Sequence, residues 1–482
     1  MHAADTGGFF PRWTEKKEGI IAPDERLPWG QTVVVGLQHI FAMFGATVLV
    51  PILMGFDPNT SIFFSGIGTL IFFVVVGGRV PSYLGSSFAF VAVTLAATGY
   101  AGQGPNPNLG VALGGIIAAG ALYALIGIIV MVAGYRWIEK LMPPVVTGSV
   151  VAIIGLNLAP VAIRAISASR FDTLVGLLTV LATGAVAVYA PGLLRRVPIL
   201  LGGVIGYLLY MVLTNGLGMG TPVDFTALRQ AAWFGLPNFT APVFRADVAL
   251  LFAPAAIVLV AENLGHVKAV GAITGRSLDR YLGRAFLGDG LACMVAASGG
   301  GTGVTTYAEN IGVMAVTRIY STLIFVVAAF GAIVMGLSPK FGALIGTIPG
   351  PVLGGLSVVL FGLIAATGGR IWVQNRVDFS NNRNLITAAV TLTLGAGDLV
   401  LNVGGFSIGG IGTATFGAII LYQLLREPAG EHDSLAMADS GVDERLRDSP
   451  RTADSGVDEG PRDVAERLRE EIRPGPDEYP GG

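Results

Sequence analysis

The chain has 482 residues, of which 52% are hydrophobic and 13% charged, with 30 Lys and Arg against 32 Asp and Glu. A soluble domain carries about 25% charged residues, so this composition excludes a string of soluble domains or a soluble enzyme and predicts one large membrane-embedded unit. The single cysteine, Cys293, excludes an intrachain disulfide and a Cys-based metal site, and His2, His39, His266 and His432 are too scattered for a metal cluster. Neither a cofactor nor a nucleic-acid partner is expected.

Residues 1–27 are mostly polar, carry several basic groups and lack the apolar stretch of a signal peptide, so an uncleaved cytoplasmic segment is expected. From 28 to 426 the chain is a succession of about fourteen apolar stretches. Seven fall in 28–217, at 30–54, 60–77, 83–99, 109–133, 143–161, 172–190 and 197–216. After an extracellular linker at 218–245, seven more fall in 246–426, at 246–266, 284–298, 304–316, 318–337, 345–366, 384–401 and 404–425. A spanning helix needs about 20 residues. The third and tenth stretches are shorter and open with small polar residues, which predicts half-helices preceded by extended chain, tolerated at membrane depth only where protein or a cavity surrounds them. Residues 427–482 hold 16 Asp and Glu against 7 Arg and repeat Ala438–Glu444 at Ala453–Glu459, which predicts a disordered acidic cytoplasmic tail with at most a short helix at 464–472.

Loop charges give the orientation. With Arg12, Lys16, Lys17 and Arg26 inside, Arg79, Arg136, Arg195, Lys268, Arg276, Arg284, Arg318, Arg370 and Arg383 all fall on the same side, as the positive-inside rule requires, while Arg164, Arg170, Arg229, Arg245 and Lys340 do not. An even count puts both termini in the cytoplasm. A repeat is also visible: Pro144–Leu156 aligns with Pro351–Leu363, sharing Pro, Val, Gly, Val, Gly and Leu in register. These are stretches five and twelve, and an odd offset of seven makes the two halves run in opposite senses through the bilayer. The expected fold is therefore an all-α polytopic membrane protein of two inverted repeats of seven segments. Its binding site belongs where the two broken segments, three and ten, meet near the midplane.

Ionisable groups inside apolar stretches are costly and point to function. Glu262 and His266, at i and i+4, share one helix face in the eighth stretch. Glu309 opens the tenth, within Thr305-Thr306-Tyr307-Ala308-Glu309-Asn310. Two acids and an imidazole on facing elements suit a neutral, planar, polar ligand whose N–H groups need acceptors, and free backbone N–H groups at the half-helix mouths supply donors for its carbonyls. The same groups are candidate proton carriers at neutral pH. A purely structural reading stands beside this one, with Glu262 and His266 paired within their helix and Glu309 capping a half-helix. In the third stretch, Ser86 and Ser87 let backbone approach a ligand, while Phe88 or Phe90 offers a ring or mere packing surface. His39 of the first stretch is a relay or a hydrogen-bonded structural group. Asp289 and Asp398 are expected to be interfacial or capping, and Asn157 to bond between helices. The glycine-rich run Ser298–Gly303 lacks the Lys-Ser/Thr of a phosphate loop.

These residues resemble the nucleobase-ascorbate transporter family, and within it the uracil permeases. Glu309-Asn310-Ile311-Gly312-Val313-Met314-Ala315-Val316-Thr317-Arg318 is similar to the family signature, Gln38-His39 to its Gln-His motif, Ser86-Ser87-Phe88 to its third-span substrate strand, and Glu262 with His266 to the Glu and His of its eighth span. The likeness covers about 20–425. It implies a core domain (segments 1–4 and 8–11) and a gate domain (5–7 and 12–14), short strands in segments 3 and 10, a homodimer in the inner membrane, and proton-coupled import of a pyrimidine base. By position, it implies that Glu262 and Glu309 accept the base N–H groups, that the backbone N–H groups of Phe88 and Ala308 donate to its carbonyls, and that His266 partners Glu262. His39, Ser87, Tyr307, Asn310 and Phe361 would support them. Three positions depart from the pattern: Ala308 replaces a common Gly, Asn263 a His of some relatives and Phe361 a Tyr of others. Two rivals remain: an anion exchanger or channel on a similar plan, and an intramembrane enzyme using Glu262 and His266 as acid and base.

Overall fold

The computed structural model describes residues 8–100, 104–192, 194–403 and 406–425. The acidic tail and the short helix expected at 464–472 lie outside the described residues.

In the first half, helices run as α1 (Trp29–Met54), α2 (Pro58–Val75), α3 (Ala89–Thr98), α4 (Leu109–Ala133), α5 (Arg136–Leu141), α6 (Pro144–Ile166), α7 (Arg170–Tyr189), α8 (Pro198–Met211) and α9 (Thr226–Gln230). The second half continues with α10 (Ala246–Thr274), α11 (Leu282–Ser298), α12 (Ala308–Thr317), α13 (Leu323–Gly336), α14 (Pro339–Gly346), α15 (Gly350–Gln374), α16 (Asn382–Ala396) and α17 (Gly410–Leu424). Three two-stranded ladders complete it: β1 (Thr14–Glu15) with β2 (Glu25–Arg26), β3 (Leu84–Ser86) with β4 (Val304–Thr306), and β5 (Leu401–Val403) with β6 (Phe406–Ile408). Every apolar stretch read from the sequence holds a helix. Among the described residues, eight helices are long and apolar enough to cross a membrane, or nine if α13 and α14, bent by 79°, form one span. The protein is an integral membrane protein. The bend falls at Leu337-Ser338-Pro339, where Ser338 caps α14 and Pro339 takes its first position.

Helices approach closely where both partners present glycine. A Cβ on Gly120 of α4 would lie 2.9 Å from the Gly290 carbonyl oxygen of α11, and one on Gly290 would lie 2.6 Å from that of Gly120. One heptad away, Gly127 and Gly283 repeat the arrangement at 2.8 and 2.9 Å. Side chains at these four positions would hold the backbones apart, so the glycines set the interhelical distance, as small residues do in membrane bundles. Two sets of helices result: α1, α2, α4, α10, α11 and α13 pack mainly on one another, and α6, α7, α8, α15, α16 and α17 do likewise.

The connecting segments sort onto two faces. Residues 8–27 run across one: Ile21 N–H donates to the Arg318 carbonyl (3.0 Å), Trp13 Nε1 to the Thr322 hydroxyl (2.9 Å), Arg79 to the Gly8 carbonyl (2.9 Å), and Arg276 pairs with Asp24 (2.8 Å). Residues 232–243 cross the other, bonding to Asp57 through Asn238 (3.1 Å), to the Gly110 carbonyl through Val243 N–H (2.8 Å) and to the Leu337 carbonyl through Gly235 N–H (2.9 Å).

Candidate substrate site

The two broken segments meet as an antiparallel ladder, with Leu84 opposite Thr306, Gly85 opposite Thr305 and Ser86 opposite Val304. Ser87 N–H extends it to the Gly303 carbonyl (2.9 Å) and Tyr307 N–H to the Tyr83 carbonyl (3.1 Å). Gly85 is required here, because a Cβ would meet the Tyr307 ring and the Thr47 hydroxyl. Immediately after the strands, the chain turns helical at Ala89 and at Ala308. The first N–H groups of each half-helix have no partner within it, and both mouths carry partial positive charge.

Helix α10 packs against α3, β4 and α12, which carries Glu262 and His266 to the mouths. Glu262 and Glu309 are close enough for their charges to interact, and Tyr307 feels both. Glu262, His266, Ala308 and Glu309 are half-buried, whereas Asn263, Thr306, Tyr307 and Asn310 beside them are buried. The four therefore border accessible space inside an otherwise packed region. Phe88 meets Phe361 of α15 edge to face, with centroids 5.8 Å apart and planes at 87°. Among the described residues, no Lys, Arg or His forms an ion pair with Glu262 or Glu309. Two unpaired carboxyl groups at membrane depth call for protons or a hydrogen-bonding ligand.

The supporting residues have definite places. Asn310 Nδ2 bonds both Nδ1 (3.0 Å) and the carbonyl (3.1 Å) of buried His39, so α1 grips the residue next to Glu309. The Tyr307 hydroxyl donates to the Ser86 carbonyl (2.8 Å) and accepts from Thr47 (3.1 Å), tying the ladder to α1. Ser87 Oγ accepts from Ala89 N–H (3.2 Å) at the start of α3. His266 does not pair with Glu262 in its own helix; its Nδ1 bonds the Thr306 hydroxyl at 2.9 Å.

Asp289 corrects the sequence reading. It is neither interfacial nor a cap but fully buried midway along α11, where Asn263 Nδ2 (2.8 Å), the Thr305 hydroxyl (3.3 Å) and the Tyr123 hydroxyl (3.4 Å) converge on Oδ2. A hydrogen-bonded network thus lies directly behind Glu262 and His266. The signal in the sequence is an acid flanked by glycines, Gly288 and Gly290, inside an apolar run. Asp398 does cap, accepting from Gly410 N–H (3.1 Å), and Asn157 does bond between helices, to the Gly395 carbonyl at 2.9 Å.

The model of the permease family Xan_ur_permease matches residues 30–404. RutG of Escherichia coli (strain K12), named a pyrimidine permease, is 63% identical over 420 residues, covering 86% of this chain and 95% of its own. The uracil permease of Bacillus caldolyticus is 41% identical, covering 82% of this chain and 92% of its own, and that of Escherichia coli (strain K12) is 38% identical, covering 88% and 99%. In fold, the chain is similar to the transmembrane domain of the cyanobacterial bicarbonate transporter BicA (TM-score 0.58, 17% identity, 81% of this chain and 96% of that one). Murine Slc26a9, an anion transporter in the inward-facing state, is similar as well (TM-score 0.58, 12% identity, 82% and 68%). The chain is a permease, not an enzyme, and belongs to the Xan_ur_permease family, the nucleobase-ascorbate transporters.

Proposed function

We propose that this permease imports uracil or a closely related pyrimidine base together with protons. The observation that carries the reading is the pair of unpaired carboxyl groups, Glu262 and Glu309, brought from α10 and α12 to the mouths of two half-helices. A pyrimidine base offers imide N–H groups to such acceptors and carbonyls to the Phe88 and Ala308 N–H groups, with its ring against Phe88. The relatives named for uracil and pyrimidine transport support this choice of ligand.

Two carboxylates around one small site repel, and a proton on either relieves the repulsion while leaving an acceptor for the base. Coupling follows if the protonated site binds the base more tightly, because only differential affinity shifts a conformational equilibrium. In this reading the chain crosses the inner membrane fourteen times as two inverted repeats, with both termini cytoplasmic, and works as a homodimer. The helix set containing α10–α12 moves as the core against the gate set containing α15. The likeness to anion transporters is one of fold alone, and an anion would face the two acids Glu262 and Glu309 here, so that reading is the weaker.

Labelled uracil in proteoliposomes with an imposed pH gradient tests the proposal. Accumulation against the uracil gradient is expected; flux that only dissipates a gradient would make the protein a channel, and absence of flux would refute the reading.

A further inference from the structure

The network behind the two acids has a direction, and it is fixed from one end. Asn263 Nδ2 and the Thr305 hydroxyl reach Oδ2 of Asp289, so that oxygen is an acceptor and the Asn263 amide turns its NH2 toward it; the Tyr123 hydroxyl has one hydrogen, shared between that oxygen and the Leu259 carbonyl. The same NH2 reaches the Tyr123 hydroxyl at 2.8 Å. The amide oxygen is left facing Thr306, whose hydroxyl lies 3.3 Å from Oδ1. An amide oxygen has no hydrogen to give, so the single hydroxyl hydrogen of Thr306 goes to Asn263. Only lone pairs remain on Thr306 Oγ1 for its other neighbour, His266 Nδ1 at 2.9 Å. On this assignment the hydrogen between Thr306 Oγ1 and His266 Nδ1 sits on the ring.

We propose that Asp289, Asn263 and Thr306 are positioning residues that hold neutral His266 as its Nδ1–H tautomer, leaving Nε2 as a bare acceptor at the base site. Which nitrogen of an imidazole is free is decided by the bond the other one makes. The consequence for specificity rests on the pyrimidine reading, whereas the tautomer does not. Next to Glu262, a bare Nε2 accepts from a protonated carboxyl or from a ligand N–H and cannot serve a ligand carbonyl until it gains a charge. The edge of the base toward α10 must then carry hydrogen, and a base alkylated on that nitrogen is refused.

The test is nitrogen NMR on the full-length protein in lipid nanodiscs, labelled with [15N]histidine; the chain has four histidines, and loss of one signal set in His266→Gln assigns the site. Wild type and Thr306→Ser should show His266 with hydrogen on Nδ1 and a bare Nε2, and Thr306→Val should move the hydrogen to Nε2. Uracil affinity should fall on the order of tenfold in Thr306→Val, the loss of one hydrogen bond, and return in Thr306→Ser, with a smaller effect on turnover. A wild-type His266 with hydrogen on Nε2 would overturn the proposal, as would a Thr306→Val protein with unchanged tautomer. A wild type that holds the Nδ1–H form but takes up no uracil would uphold the relay and refute the pyrimidine reading instead.

Discussion

Glu309 stands in the first turn of α12, where unsatisfied N–H groups favour negative charge, and its carboxyl group has no cation opposite among the described residues. A cap would need nothing more, but the half-buried Glu262 beside it makes the pair costly without a ligand. Removing the acceptor should therefore abolish uptake: Glu309→Ala is expected to reduce labelled uracil transport to background, while its melting temperature stays near wild type. A variant with wild-type uptake would return Glu309 to a capping role. Asp289 behaves differently, because it holds structure. Asp289→Ala leaves Asn263 and Thr305 without their acceptor, at about 1–3 kcal/mol for each buried group left unsatisfied. Thermal unfolding in detergent should shift clearly downward, and less in Asp289→Asn, which keeps the volume. At this scale the sequence was informative about Glu262, His266 and Glu309, because charge in an apolar stretch is conspicuous. It was silent about Tyr123 and Thr305, whose roles depend on contacts 166 and 16 residues away along the chain.

Helix α4 shows how well an element can be read. Its observed bounds, Leu109–Ala133, coincide with the apolar stretch 109–133, because a uniformly apolar helix begins and ends where the apolar residues do. Helix α10 continues beyond the apolar stretch 246–266 to Thr274. Its last turns carry Lys268, which pairs with Glu139 and Asp279 at 3.0 Å each, and such charges look like loop to a hydropathy reading. The bend between α13 and α14 falls where the apolar stretch 318–337 ends, and most of α14 lies between that stretch and the next. The contact between α4 and α11 gives the prediction for this scale. Gly120→Val or Gly290→Val places side-chain carbon against the facing carbonyl and should force the helices apart, with a cost of about 1–3 kcal/mol by analogy with overpacked cores. Yield and monodispersity of the purified variant measure it; wild-type behaviour would show that the glycines do not set the spacing.

For the molecule as a whole, the structure brings three of the loops that carry basic residues to one face. Residues 8–27 touch loops carrying Arg79, Arg276 and Arg318, while 232–243 tie together the opposite ends of α2, α4 and α13. Neither strap could be foreseen, since both rest on hydrogen bonds to distant parts of the chain and neither segment has a periodic pattern. The native Cys293 is buried, so single cysteines can report sidedness against a low background. Lys17→Cys and Arg229→Cys, both exposed, should react with an impermeant thiol reagent from opposite sides of the membrane, Lys17→Cys from the cytoplasm. Reaction of both from one side would contradict the topology. The central claim is narrower: that acids from α10 and α12 hold the same base. Equilibrium binding of labelled uracil to the purified protein tests it most directly. The account predicts saturable binding by wild type, displaced by unlabelled uracil, and its loss in both Glu262→Ala and Glu309→Ala; wild-type binding by either variant would contradict it.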